Sequence, residues 1–361
     1  MSKSRGTLMS QGMRNVKREF LFGALVVTAT LLVTAVSLEV VLRLLGYGGA
    51  PVSNIGIVRI VDDPVLDWRY MPNSRIQLGK VINQYNSMGF RGEGHATEKP
   101  TGAVRVVVIG DSVTEGYGVE WDNVFASVVQ SQLGTRYEVI SLGMGGLNTP
   151  QEVHVLEEVG VQYAPDYVVV NFVLNDCDFF SSAKEGAKHA EDNQSKIALL
   201  NIRINPGLKR ALKSSALLYL ANERISDLWG RLRGEERHDY YEELWGNQFN
   251  RGKVTAAFEK LQTLSREHGF KVVVLIWPLV IDYSEYKFRA VHQWIAEQAG
   301  NSHFSSIDLL PEFSTQSFRS LQVTSEDYVH PNARGHKLAA IKFVKWLTHD
   351  PVSRIPAANE R

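Results

Sequence analysis

Apolar and polar positions are arranged along this chain in three different ways. From Phe20 to Leu38 nineteen residues pass without a charge, and Val40, Val41, Leu42, Leu44 and Leu45 prolong the apolar surface around Glu39 and Arg43. As a helix those residues span about 28 Å, close to the thickness of a bilayer's hydrocarbon core. Residues 20–45 are therefore predicted to be a transmembrane anchor. In residues 46–103, turn signals at Pro51, Pro64, Pro72-Asn73, Gly89, Gly92 and Gly94 separate short apolar stretches, which reads as an extended lead-in with a few strands. From Val104 the pattern becomes regular. Arg105–Ile109, Tyr137–Leu142, Tyr167–Val173, Phe270–Ile276 and Ser305–Leu309 are short and largely apolar, and are predicted strands. Phe125–Leu133, Gln151–Tyr163, Val254–His268, Tyr286–Gln298 and Ala333–Leu347 carry helical spacing.

Strands that alternate with helices predict an α/β fold, a parallel sheet with helices on both faces. Strands apolar on both sides agree, because parallel strands are covered twice. Residues 178–250 break the alternation. This insertion is polar, with an amphipathic stretch at Leu208–Leu232 and aromatics at Trp229, Tyr240, Tyr241, Trp245 and Phe249. It is either a lid over the ends of the strands, with Trp245 or Tyr241 as a stacking platform, or a small hydrophobic satellite cluster. The expected organisation is a basic tip (1–19), the anchor (20–45), the lead-in (46–103), an α/β domain (104–350) with its insertion (178–250), and a tail (351–361).

Charge adds direction to the anchor. Lys3, Arg5, Arg14, Lys17 and Arg18 precede it, against Glu19 alone. A basic flank stays in the cytoplasm. A single pass through the inner (cytoplasmic) membrane then places the following chain in the periplasm or outside the cell. A cleaved signal peptide is the competing reading, with Ala35-Val36-Ser37 as a small-residue cleavage site; a buried helix of a soluble protein is a third. The formal net charge of zero disfavours a nucleic-acid partner. Hydrophobic residues at 44% and charged ones at 22% predict a large buried core. Cys177 is the single cysteine, so neither an intramolecular disulfide nor a cysteine-built metal site is available, and it is predicted to be buried and inert.

In parallel α/β sheets chemistry gathers where the strands end. Gly110-Asp111-Ser112-Val113-Thr114-Glu115-Gly116 follows the first predicted strand, Gly143-Met144-Gly145-Gly146-Leu147-Asn148 the second, and Asn175-Asp176 the third; Asp327-Tyr328-Val329-His330-Pro331-Asn332 precedes the last helix. Singly, each is ordinary turn or capping chemistry. Together they hold the parts of acyl transfer. A serine hydroxyl (Ser112) needs a base, which His330 supplies, and Asp327, three residues before it, fixes the imidazole's tautomer. The Ser112 N–H, an N–H of the Gly145-Gly146 turn and the Asn175 amide are candidate donors to an oxyanion.

His95, His154, His189, His238, His268, His292, His303, His336 and His349 suggest no ligand set, so neither a metal nor another cofactor is expected; His336 falls on the face of the last helix. Three rivals stay open. A dinucleotide-binding oxidoreductase would use the glycine-rich loop, although its spacing is not Gly-x-Gly-x-x-Gly. A metallophosphoesterase would use Asp111, Asp176 and His330 but lacks further histidines. A non-catalytic scaffold would carry the same residues unused.

These blocks resemble the SGNH hydrolase superfamily, also called GDSL esterases/lipases. Gly110-Asp111-Ser112 resembles its first block, Gly146 its second-block glycine, Asn175 with Asp176 its third, and Asp327 with His330 its last. Val173 stands where the third block usually has glycine, and Ser141 where the second more often begins with asparagine. The resemblance covers residues 104–347. It implies a three-layer α/β/α sandwich with a five-stranded, mostly parallel, flavodoxin-like sheet. It also implies a serine esterase with Ser112, His330 and Asp327 as catalytic residues, and Ser112, Gly146 and Asn175 as the oxyanion hole. Asn86-Ser87-Met88-Gly89-Phe90-Arg91-Gly92 is similar to a lead-in of membrane-anchored bacterial members. Those members remove or add O-acetyl groups on cell-surface polysaccharides, so an acylated glycan is the implied substrate, with an O-acyltransferase as the alternative to an esterase. Oligomeric state is left open.

Overall fold

The structure is a computed structural model that describes residues 3–44, 58–66, 68–78, 81–177, 196–197, 202–203, 215–218, 220–221, 239–324 and 327–349. The chain divides into two compact units, Met1–Ser53 with Gln194–Leu232, and Asn54–Asn193 with Arg233–Arg361. Most of the amphipathic stretch expected at 208–232, and the tail at 351–361, lie outside the described residues.

In the first unit one helix, α1 (Lys3–Leu44), runs from the basic tip through the apolar stretch without a break. Its Glu19–Leu44 segment contains an 18-residue window with a mean hydropathy of 2.3 and is long and apolar enough to cross a membrane, a test that an N-terminal signal sequence also passes. Phe20, Leu21, Phe22, Leu25, Leu31 and Val33 are all exposed. The hydroxyls of Thr28, Thr30 and Thr34 donate to the carbonyls of Ala24, Val26 and Thr30, so the polar atoms of the apolar stretch are satisfied inside the helix. At its far end Glu39 accepts hydrogen bonds from the Ser215 hydroxyl (2.8 Å) and the N–H groups of Ala216 (3.0 Å) and Leu217 (2.9 Å). Within the same unit Lys196–Ile197 pairs antiparallel with Ile202–Arg203.

The second unit opens with two antiparallel strand pairs. β1 (Val58–Ile60) pairs with β2 (Trp68–Tyr70), and β3 (Arg75–Leu78) with β4 (Val81–Gln84). The α/β core follows with β5 (Val104–Gly110), a short turn α2 (Ser112–Glu115), α3 (Phe125–Leu133), β6 (Tyr137–Ser141), α4 (Thr149–Glu158) and β7 (Tyr167–Phe172). It continues through α5 (Asp239–Gly246), α6 (Gln248–His268), β8 (Lys271–Ile276), α7 (Arg289–Asn301), β9 (Ser305–Asp308), α8 (Leu310–Phe313) and α9 (Ala333–His349). Five strands form one sheet in the order β9-β8-β7-β5-β6, every neighbouring pair parallel. Helix α3 packs on α9, and α4 on α6, which gives the expected three-layer α/β/α sandwich. All residues of β5 and β7 are buried, as strands covered on both faces must be.

The order is that of a flavodoxin-like sheet. The chain leaves β5 for β6 on one side and returns to β7 on the other, so a crevice opens between the ends of β5 and β7. Element ends differ from the sequence reading where local chemistry intervenes. α4 stops at Glu158 and a 3₁₀ turn occupies Gly160–Tyr163. α6 begins at Gln248 rather than Val254 because Asn247 caps it, accepting from the Phe249 N–H at 2.9 Å. α7 begins at Arg289 rather than Tyr286, whose hydroxyl is engaged with His292 (2.9 Å) and the Leu279 N–H (3.1 Å).

Candidate active site

The crevice residues arrive from four loops. Asp111 caps α2, its Oδ1 accepting from the Val113 N–H at 2.8 Å, and this holds Ser112 at the first position of the turn. From 218 positions later, His330 brings Nε2 to 2.9 Å from Ser112 Oγ. His330 Nδ1 lies 2.8 Å from Asp327 Oδ2, while Asp327 Oδ1 accepts from the N–H groups of His330 (2.8 Å) and Val329 (3.0 Å). One carboxylate thus folds its own turn with one oxygen and holds the ring with the other. Burial works to raise the Asp327 carboxyl. The hydrogen bond and charge of His330, with the two N–H donors, outweigh burial and hold it below the usual carboxylate range. With Nδ1 keeping its proton and donating it to Asp327 Oδ2, Nε2 is left as an acceptor facing the serine hydroxyl.

The donors expected for an oxyanion stand on the loops that follow β5, β6 and β7. Gly146 is exposed in the left-handed region (φ 79°), where a side chain would be strained. Among the described residues neither its N–H nor that of Ser112 donates a hydrogen bond. The Asn175 Nδ2 donates to Asp111 Oδ2 at 2.9 Å, which leaves its second amide hydrogen available. Asp111 Oδ2 also lies 3.2 Å from Ser112 Oγ, so this one carboxylate links the serine and asparagine loops. Val173, in the usual glycine position, is fully buried in the core, and its N–H donates to Asp176 Oδ2 at 2.8 Å. Asp176 and Glu152 are buried carboxyls raised well above their ordinary range, first by desolvation, then Asp176 by the charges of Glu152 and Asp111 and Glu152 by that of Asp111.

The structure thereby joins Asp111, Ser112, Asn175, Asp327 and His330 through direct hydrogen bonds, while Asp176 holds the backbone of the asparagine loop. Sequence reasoning missed Tyr117, whose ring lies 4.5 Å from the His330 ring at 40°. Its signal was faint, an aromatic residue five positions after the serine. His336 lies on the last helix, on its inward face. It is buried, and its Nδ1 accepts from the Phe125 N–H at 3.1 Å. Tyr241 and Trp245 are not platforms for sugar rings. Both are buried, and Trp245 Nε1 donates to the Leu174 carbonyl at 2.8 Å, so they belong to the core under the asparagine loop. Cys177 is buried, as expected. Among the described residues no three His, Cys, Asp or Glu side chains are grouped to hold a metal ion.

The pattern that defines the GDSL-like lipase/acylhydrolase family matches residues 108–338. The chain belongs to this family. It is accordingly an ester hydrolase of the GDSL type, and Ser112 and His330 both lie within the matched residues. No curated protein matches the chain. Among solved structures, the acetyl xylan esterase AlAXEase is 17% identical, covering 68% of this chain and 100% of its own, with a TM-score of 0.42. TesA is 15% identical, covering 69% and 99%, with a TM-score of 0.42. A carbohydrate acetylesterase family member from Sinorhizobium meliloti is 15% identical, covering 68% and 97%, with a TM-score of 0.39.

Proposed function

We propose that this GDSL hydrolase cleaves ester-linked acyl groups, acetyl in the first place, from a cell-surface polysaccharide. Ser112 is the nucleophile, His330 the base and Asp327 its partner. Ser112 Oγ attacks the ester carbonyl as its proton passes to His330 Nε2. The Ser112 and Gly146 N–H groups and the Asn175 amide receive the oxyanion, each donor worth on the order of 3 kcal/mol in the transition state. His330 then protonates the departing sugar oxygen, leaving Ser112 acylated. Water, deprotonated by His330, releases acetate and restores the serine. A sugar hydroxyl in the place of water would make the same site an O-acyltransferase.

The observation that supports this reading is the 2.9 Å approach of His330 Nε2 to Ser112 Oγ, with Asp327 behind the ring at 2.8 Å. The long apolar helix behind a basic flank supports an anchor in the inner membrane, with the N-terminus cytoplasmic and the catalytic unit in the periplasm or beyond. The test is p-nitrophenyl acetate turnover by the full chain in detergent, beside Ser112→Ala. Turnover that persists in the variant refutes the assignment. Acetate release from acetylated glycans, measured with and without an acceptor sugar, separates hydrolysis from transfer. A chain inert to esters and to a fluorophosphonate probe would instead be a scaffold.

A further inference from the structure

Glu115 closes the first motif, three residues after the serine, and takes no part in the chemistry above. Its side chain is nonetheless the centre of the best-connected buried polar cluster near the site. Oε2 accepts from the Gly145 N–H at 2.7 Å and the Tyr70 hydroxyl at 3.0 Å. Oε1 accepts from the Tyr85 hydroxyl at 2.5 Å and Asn83 Nδ2 at 3.4 Å. Tyr70, Asn83, Tyr85 and Glu115 are each at most 5% exposed. Three of these partners belong to the lead-in and the fourth is the peptide next to Gly146.

The loop is pressed against this cluster. A Cβ on Gly145 would come to 3.0 Å from Glu115 Oε2 and 3.7 Å from Ser112 Cβ; one on Gly143 would meet the Glu115 N at 2.5 Å. The two glycines let the loop lie directly on α2. Arg91, also buried, locks the other side. Its Nη1 donates to the carbonyls of Glu115 (3.0 Å) and Gly116 (2.6 Å), and its Nη2 to that of Val119 (2.6 Å). The lead-in residues 70–91 therefore grip the serine turn from both its side chain and its backbone.

We propose that Glu115 is a positioning residue for the oxyanion-binding loop: it holds the Gly145 peptide so that the adjacent Gly146 N–H faces the point above Ser112, and Tyr70, Asn83 and Tyr85 hold Glu115. This deepens the esterase reading and rests on it for the catalytic consequence, but not for the structural one. An oxyanion donor contributes only if it is aimed before charge develops. Gly146 sits in an exposed glycine turn between Met144, whose N–H donates to the Gly110 carbonyl at 3.1 Å, and the buried Leu147. The Glu115–Gly145 bond is the side-chain constraint on the peptide immediately before it.

The experiment compares Glu115→Asp, Glu115→Leu and Glu115→Gln in the full chain in detergent. Rates are counted per active site labelled by the fluorophosphonate probe. Aspartate keeps the charge but withdraws the acceptor from Gly145; glutamine keeps an acceptor there and a donor that a tyrosine oxygen can accept. The expected result is a fall in kcat of about 10²-fold for leucine and about tenfold or more for aspartate, with KM for p-nitrophenyl acetate unchanged, and recovery to within a few-fold in glutamine. Amide hydrogen exchange of peptides spanning 143–148 reads the loop without any substrate. It should quicken in aspartate and leucine and stay slow in glutamine. Should leucine fail to fold, aspartate and glutamine still decide the matter. Unchanged exchange and unchanged kcat in a folded aspartate variant overturn the proposal. An inactive wild-type chain would defeat the esterase reading, while the exchange result would still judge Glu115.

Discussion

Replacing Asp327 by asparagine separates two jobs that one carboxylate does. Asp327 Oδ1 accepts the N–H groups of His330 and Val329 at 2.8 and 3.0 Å, and Oδ2 faces His330 Nδ1 at 2.8 Å. Asparagine keeps the first pair with its own carbonyl oxygen, so the turn persists. In the place of Oδ2 it puts an amide whose hydrogens confront the Nδ1 proton. The ring escapes by moving its proton to Nε2, and Nε2 then donates to Ser112 Oγ instead of accepting from it. The base is lost without the loss of a single heavy atom. By analogy with the same change in serine proteases, kcat should fall about 10⁴-fold, roughly 5.5 kcal/mol of barrier. Unfolding temperature should move by only a few degrees, because each retained backbone bond contributes about 1 kcal/mol. The assay is p-nitrophenyl acetate turnover at pH 7 against the Ser112→Ala baseline, with a thermal melt beside it. A folded Asp327→Asn within about tenfold of wild type would refute the role assigned to this carboxylate.

Two further outcomes follow from the surroundings of the site. Trp245→Ala should cost roughly 3–5 kcal/mol, since the ring is buried against Phe172 and Trp294 and its N–H satisfies the Leu174 carbonyl; below the lowered melting point the ratio of polymer to small-ester activity should be unchanged, and a selective loss on polymer would restore the lid. His336 is held down to about 3 by burial, with the positive charges of Arg91 and His330 adding to it. The unfolded chain then binds this proton below about pH 6.5 and the fold does not, so stability should fall by about 2 kcal/mol between pH 7 and pH 5. Urea unfolding at the two pH values should show that slope in wild type and a flatter one in His336→Gln; equal slopes would be contrary evidence. The lowered Asp327 acts in the same direction but only at more acid pH, below its usual range, while the raised Glu152 and Asp176 act oppositely.

The proposed catalytic residues were legible because their spacing relative to predicted strands carries the information. Ser112, Asn175 and His330 sit where strands end or the last helix begins, and chemistry in such sheets collects there. Glu115 was not legible. Three residues after the serine it reads as a first-turn acid on a helix, and its partners Tyr70, Asn83, Tyr85 and Gly145 lie 45, 32, 30 and 30 positions away. Periodicity gave no warning of that pairing, because a hydrogen bond over such separations leaves no mark in local spacing. Trp245 stood open between two readings for a related reason: an aromatic residue in a polar insertion looks the same whether it covers a rim or fills a core.

By itself the amino-acid order determined the alternation of strands and helices, the apolar stretch at the N-terminus and the four motif blocks, all of which are short-range properties of side-chain polarity and turn chemistry. Only the tertiary structure decided that His330 meets Ser112 at 2.9 Å across 218 residues, that Asp111 joins the serine and asparagine loops, and that the lead-in closes on Glu115. Those contacts depend on the crossover from β6 through β5 to β7 and on what remains buried once the sheet is covered. A chain position carries no record of which distant donor will be left to satisfy a buried carboxylate.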